Sequence, residues 1–321
     1  MHNQFENQQW CRMGPRAMFG QFMLELVKNN KNLMILSADL GRSSGLDRFK
    51  NEFPKNYLSI GISEQNMIGV ASGLAREGFK VFVTSFAPFL SMRASEQVRM
   101  NLGYMRHNVN LIALGSGVTM GYLGNSHYGL EDLAIMRAIP GINISSPSDC
   151  AELKKVLHDL TKKNRGPTYV RLTGIPGSRT VYSKDYNYKF GKFEPLTKGR
   201  KILVFSTGSV TSEALSAITE LNSVGHSIKL INLHTLRPLD KNVLKEIKSF
   251  DKIVTIEEHS IIGGLNTIIS DLIIKNNLKK KIISFSLSDK FSANGKYDFL
   301  LDFHNLSKRK IKRKIANFSK N

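Results

Sequence analysis

The sequence predicts an α/β protein built from two doubly wound domains with mostly parallel sheets. Three observations lead there. Short apolar runs alternate with amphipathic stretches of helical length, the alternation lapses between Gly174 and Gly199, and it then resumes until near the end of the 321 residues. Strands alternating with helices of this kind need crossover connections, which make a largely parallel sheet. One open sheet rarely absorbs this much chain, so the lapse separates two units.

The elements follow in order. A helix starts at Pro15, a residue suited to a first helical turn, and runs over 16–28 with Phe19, Phe22, Met23, Leu26 and Val27 recurring at three and four. Strand-like runs cover 33–37, 80–84, 110–114 and 168–172, and helical patterns cover 64–77, 89–104, 130–137 and 147–163. The stretch from Gly174 to Gly199 carries glycines, prolines and aromatics and reads as a linker with one short hairpin. Beyond it, KILVFS, HSIKLINL, KIVTIEE and KIISFSL are strands, and 210–224, 240–250 and 264–275 are helices. The domains fall at 1–175 and 199–305, joined by a linker over 176–198 and followed by a basic tail over 306–321.

Composition narrows the class. No apolar run reaches the ~20 residues that span a bilayer. The start, MHNQFENQQW, lacks the basic-then-apolar order of a secretory signal. Two cysteines, Cys11 and Cys150, far apart in sequence, make no disulfide framework and favour a reducing, cytoplasmic setting. The net charge of +20 raises nucleic acid as a partner, but seven of the basic groups sit in the last sixteen residues and the rest is scattered lysine. That tail reads as solvated and mobile, with an acidic partner surface as the alternative.

Three words carry chemistry. In Ser59-Ile-Gly-Ile-Ser-Glu-Gln-Asn-Met67, Glu64 stands at the N-terminus of an apolar helix, as a cap or as a working carboxylate. In SFAPF, Phe86 and Phe89 close a strand, as core or as a face for a flat heteroaromatic ring. The glycine-rich segment 117–132 follows the strand NLIAL and holds a single histidine, His127, either a surface residue or a catalytic one. Glycines after a parallel strand let backbone approach a ligand at the carboxyl edge of the sheet.

In this order, the three words resemble the transketolase family, in particular C-terminal halves encoded as separate subunits. GISEQNMIGVASGLAREG, SFAPFLSMRASEQVR, GLEDLAIMRAIPGINISSPSD and GPTYVRL resemble its pyrimidine-binding domain, and LHTLRPLD and VTIEEHSIIGGL its C-terminal domain. The resemblance implies thiamine diphosphate as cofactor. Glu64 then bonds N1′ of the aminopyrimidine, Ile62 wedges the cofactor into its bent shape, Phe86 and Phe89 wall the pyrimidine, Asp39 lies beside the cofactor, and His127 faces the substrate. A buried carboxylate against a ring nitrogen is suited to share a proton. The implied reaction moves a two-carbon ketol unit from a ketose donor to an aldehyde or keto-sugar acceptor, with the carbanion chemistry supplied by the cofactor. No Gly-Asp-Gly segment occurs. The diphosphate and its Mg2+ or Ca2+ are therefore expected on a partner, an N-terminal transketolase subunit, with two copies of each chain and no metal ligands in this one. The same layout serves the β-subunits of 2-oxoacid dehydrogenases, and a non-catalytic partner subunit is a further alternative.

Arg16 and Ser43 match substrate phosphate positions of the family. Three residues depart from it: Gly115 and Leu123 replace a histidine and an aspartate that read sugar hydroxyls, and Gly174 replaces a phosphate-binding arginine. Either Arg171 or Arg179 takes over that arginine's part, or the acceptor is bulkier or unphosphorylated, such as a nucleotide-linked keto-sugar.

Overall fold

The computed structural model describes residues 4–320, and two sheets organise it. The chain opens on α1 (Gln4–Met13), a helix that its polar sequence did not announce. Gly14, at φ +86°, breaks it, and Pro15 starts α2 (Pro15–Val27). Then come β1 (Leu33–Ser37), α3 (Asp47–Glu52), β2 (Tyr57–Ser59), α4 (Glu64–Arg76) and β3 (Lys80–Phe86). Residues 89–104 are wound as π turns at Phe89–Arg93 and Val98–Tyr104 around the short α5 (Ser95–Gln97), where the sequence predicts one α-helix. Next are β4 (Val109–Leu114), α6 (Asp132–Ala138), β5 (Asn143–Ser145), α7 (Cys150–Lys162) and β6 (Thr168–Arg171).

The second half contains β7 (Glu194–Pro195), β8 (Ile202–Ser206), α8 (Thr211–Ser223), β9 (Ile228–Asn232), β10 (Thr235–Arg237) and α9 (Val243–Lys248). It continues with β11 (Lys252–Ser260), α10 (Leu265–Lys275), β12 (Lys281–Leu287), α11 (Tyr297–Phe303) and α12 (Lys308–Lys320). The larger sheet has the order β10-β5-β6-β4-β3-β1-β2, parallel except for β10. The smaller has the order β12-β11-β8-β9-β7, parallel except for β7. Strands β1, β3, β4 and β6 are almost wholly buried and mainly apolar in β1, β3 and β4, as a sheet covered on both faces requires. In the larger sheet β1 is flanked by β2 and β3, so the winding reverses there, and the carboxyl edge of these strands is the expected ligand edge. Among the described residues no helix is long and apolar enough to cross a membrane.

Two further expectations are corrected. The linker has no hairpin among the described residues: Tyr182 packs into the first domain and donates to Glu152 Oε1 at 3.0 Å, with Tyr186 stacked on it, and β7 pairs with β9. Tyr182 is thus a core residue, with Tyr186 and Tyr188 half-buried beside it, which turn-rich sequence conceals.

The basic tail is not a mobile segment. It forms α12, whose Ile311 and Ile315 are fully buried against α8, with Phe318 one turn on partly buried in the same cluster. Glu213 Oε2 accepts from the Lys308 amide at 2.8 Å at the helix start, and Lys252 Nζ donates to the Phe318 and Ser319 carbonyls at 3.1 and 2.9 Å at its end. Opposite charges thus sit at both poles of the helix dipole. The apolar stripe, three residues at helical spacing among seven cations, was outweighed by charge in the sequence.

Finally, Cys11 and Cys150 are remote in sequence but neighbours in space, both buried and free. Contact with Cys11, together with burial, holds the Cys150 thiol well above its ordinary range.

Candidate active site

Glu64 begins α4, just after Gly61 turns the chain at φ +76°. Its side chain is buried, and its two oxygens point inward: Ser85 Oγ donates to Oε1 at 3.0 Å and Arg93 Nη1 donates to Oε2 at 2.8 Å. Being bonded to side chains of β3 and the segment after it, this carboxylate is not acting as a side-chain cap of its own helix. Phe86 ends β3 and Phe89 follows three residues later, with ring centroids 5.9 Å apart and nearly perpendicular. The His127 ring stands 5.4 Å from each of them. Its Nδ1 lies 2.9 Å from Ser126 Oγ. Glu64, Phe86, Phe89 and His127 therefore form one contiguous group at the carboxyl edge of β3 and β4.

Arg93 ties this group together. Its guanidinium lies 4.0 Å from the centre of the Phe89 ring while it bonds Glu64. A planar, cationic hydrogen-bond donor thus lies over an aromatic ring and pairs with a buried carboxylate, joining the two parts of the group. Arg93 is half-exposed, so its head can leave without unpacking the core.

Beside the group lies a cavity of about 360 Å3 lined by Arg16, Arg42, Ser43, Gly115, Met120 and Gly174, among others. It adjoins the aromatic cluster, since a Cβ on Gly115 would lie 3.4 Å from Phe86. Arg16 and Ser43, remote in sequence, thus meet the departures Gly115 and Gly174 in one space. Arg42 is a third cationic or polar member that the sequence reading missed; only its adjacency to Ser43 pointed to it. Neither glycine leaves room for a side chain: Gly115, at φ +64°, has Met120 Cγ 2.6 Å from the Cβ position, and Gly174, at φ +88°, has Ser209 Cβ at 3.0 Å. Two predicted residues stand outside the group. Ile62 is 77% exposed, and Asp39 is an exposed residue at φ +57° after β1. Leu123 is exposed on the glycine-rich loop and does not line the cavity.

Arg171 is removed from consideration as a substrate ligand. It is fully buried, donates through Nε to both oxygens of Asp132 at 3.0 and 2.9 Å, and gives Nη2 to the carbonyls of Gly129 and Glu258 at 3.2 and 2.7 Å. Its role is to join the domains. Arg179 sits away from the cavity, near Glu213 and Ser216. Beneath the site lie Glu257 and Glu258, each pushed up to about 7 by burial, and His259, pushed down to about 4 by burial. The sequence quoted these three as part of VTIEEHS but gave no sign of what they hold.

The family model described as the transketolase pyrimidine-binding domain matches residues 13–175, and the one described as the transketolase C-terminal domain matches residues 191–311. The chain belongs to the transketolase family. A protein of Methanocaldococcus jannaschii, provisionally named a transketolase C-terminal section, is 37% identical over 94% of this chain and 95% of its own length. A 6-deoxy-6-sulfo-D-fructose transketolase subunit of a Clostridium species is 32% identical over 93% of this chain and 92% of its own. A solved structure described as a split gene transketolase, inactive beta4 tetramer, superposes with a TM-score of 0.83 at 29% identity, covering 95% of this chain and 97% of that one. This transketolase-family chain thus has the extent of separately encoded subunits, and its family depends on thiamine diphosphate.

Proposed function

We propose that the chain is the pyrimidine-side subunit of a thiamine diphosphate-dependent transketolase, transferring a two-carbon ketol group from a ketose to an aldehyde or keto-sugar. The observation that supports this reading is a buried carboxylate, Glu64, joined through the flat Arg93 cation to the aromatic wall of Phe86, Phe89 and His127. The residues fit the cofactor: a buried carboxylate for a ring nitrogen, an aromatic wall from Phe86 and Phe89, and Ile62 and Asp39 exposed on loops of the same sheet edge. When bound, the cofactor supplies the stabilised carbanion through which the two carbons pass. Glu64 holds a proton at the pyrimidine ring nitrogen, and His127, fixed against both phenylalanines, presents a nitrogen to the substrate oxygen.

The diphosphate and a Mg2+ or Ca2+ ion would be held by a separate N-terminal subunit with the Gly-Asp-Gly segment, two copies of each chain forming the enzyme. The anionic end of a sugar substrate fits the Arg16, Arg42 and Ser43 side of the cavity. Gly115 and Gly174, where the family has a histidine and an arginine, leave the acceptor with fewer polar partners, which favours a bulkier or unphosphorylated acceptor such as a nucleotide-linked keto-sugar.

The decisive experiment mixes the chain with its partner subunit, the cofactor and Mg2+, and follows exchange of the cofactor C2 proton by NMR. Glu64→Gln should slow that exchange by ~10²–10⁴-fold with folding intact. A wild-type rate in the variant would refute the assignment of Glu64. The same mixture, given a ketose donor and competing ribose 5-phosphate and keto-sugar acceptors, reads the acceptor class. Reductive acylation of a lipoyl domain without ketol transfer would place the chain among the 2-oxoacid dehydrogenases instead.

A further inference from the structure

The loop that carries His127 leaves the larger sheet at the end of β4, yet many of its fixings come from the second domain. Glu258 Oε1, on β11, accepts from the Val118 amide at 2.8 Å. Asn125 and Ser292 exchange a pair of hydrogen bonds: Asn125 Nδ2 donates to the Ser292 carbonyl, and the Ser292 amide donates to Asn125 Oδ1, both at 2.9 Å. The Tyr128 hydroxyl donates to the Ala293 carbonyl at 3.1 Å, and the Gly295 amide donates to the Gly121 carbonyl at 3.3 Å. Ser292 Oγ in turn lies 2.7 Å from Nε2 of the buried His304.

The two surfaces also leave each other no space. A Cβ at Gly117 would sit 2.3 Å from Glu258 Oε1, and one at Gly124 would sit 2.6 Å from Asn294 Oδ1. Both glycines have positive φ, at +68° and +72°. Between Gly117 and Gly129 the loop has one short 3-10 stretch, Gly121–Ser126, bent at Gly124. Such a stretch has poor hydrogen-bond geometry of its own and does not hold a ring in place unaided.

We propose that the second domain clasps this loop and sets the position of His127, with Asn125 and Glu258 as positioning residues. The inference rests on the reading of His127 as a substrate-facing group. Its physical basis is that a site residue must be fixed by neighbours whose own geometry is locked, and a displacement near 1 Å can cost ~10²-fold in rate. Val118, Gly121, Asn125 and Tyr128 bracket His127 from both sides, and each is held by an atom of the second domain.

Asn125→Ala tests the clasp, because Asn125 is exposed and its loss removes two bonds without opening the core. Hydrogen–deuterium exchange of residues 117–128 is read on the full chain, and kcat/KM on the complex with its partner subunit. The variant should exchange this segment faster and lose about 10- to 100-fold in kcat/KM, with cofactor affinity unchanged. Asn125→Asp keeps the acceptor for the Ser292 amide and should fall between the two. Unchanged exchange overturns the clasp, and faster exchange with wild-type kcat/KM overturns its positioning role. His127→Ala is run beside them: if it turns over like the wild type, the substrate-facing reading fails and with it the functional half of this inference, while the exchange data still decide whether the second domain holds the loop.

Discussion

Replacing Ile315 by alanine should destabilise the protein by about 3 kcal/mol, an outcome that separates a docked helix from a loose basic tail. Ile315 is fully exposed to solvent in the second case and fully buried in the first. Burying an isoleucine side chain is worth about 1.5–3 kcal/mol, and the cavity left by truncation adds to that, so buried Ile→Ala changes cost about 2–5 kcal/mol. The site is flanked by Ile311 on one turn and Phe318 on the next, both packed in the same cluster, so partial collapse keeps the cost near the middle of that range. The ion pairs of α12 contribute far less. Arg309 pairs with Asp302 in solvent, and such pairs are worth about 0.2–1 kcal/mol. Urea unfolding followed by circular dichroism gives the measurement, with Arg313→Ala, on the exposed face, as the control expected within about 0.5 kcal/mol of wild type. If Ile315→Ala matches that control, α12 is not docked in solution and the argument from its buried stripe fails.

Three other outcomes are expected. Arg93→Met should tighten thiamine diphosphate binding to the assembled enzyme by about 3- to 10-fold, since the cofactor no longer competes with an internal cation of modest pairing energy; calorimetry showing weaker binding would mean that Arg93 serves the bound cofactor. Glu257 and Glu258, held near 7 by burial against an ordinary 4.5, take up protons on folding, so their stabilising effect is full below pH 4.5 and is lost as pH rises through 7. His259, held near 4 by burial, acts oppositely between pH 4 and 6.5, so Glu258→Gln should flatten the fall in stability between pH 5 and 8 by about 2 kcal/mol, read by urea titration at each pH. The thiols of Cys11 and Cys150, buried and in contact, should resist a disulfide reagent in the folded protein and react only on unfolding; rapid labelling of the native chain would contradict their packing.

The parallel sheets were legible because β1, β3 and β4 are largely apolar runs alternating with helical patterns, and a sheet buried on both faces writes itself that way. Glu64, Phe86, Phe89 and His127 were singled out because the resemblance to the transketolase family joined three words of sequence that each lie at or beyond a strand end, and the fold brings the four side chains together. What escaped the sequence reading depends on distant partners. Strand β10 is three residues long and pairs across the domain boundary, so no local pattern marks it. Glu258 and Arg171 sit in polar and apolar runs like many others, and only the fold shows that one carries the glycine-rich loop and the other a buried carboxylate. The α12 stripe was present in the sequence, but its three apolar residues compete there with seven charges that water could equally have solvated.

Strand β10 has a consequence for how this enzyme part could be rebuilt. It belongs by sequence to the second half, yet it lies antiparallel on β5 at the edge of the first sheet, where the His234 carbonyl accepts from the Ser146 amide at 2.8 Å and Ser145 Oγ at 3.0 Å. A chimera joined within 176–198 would therefore strip one sheet of its last strand and leave the other with a foreign ribbon to place. Recombination at that junction is penalised even though the chain there looks like a tether.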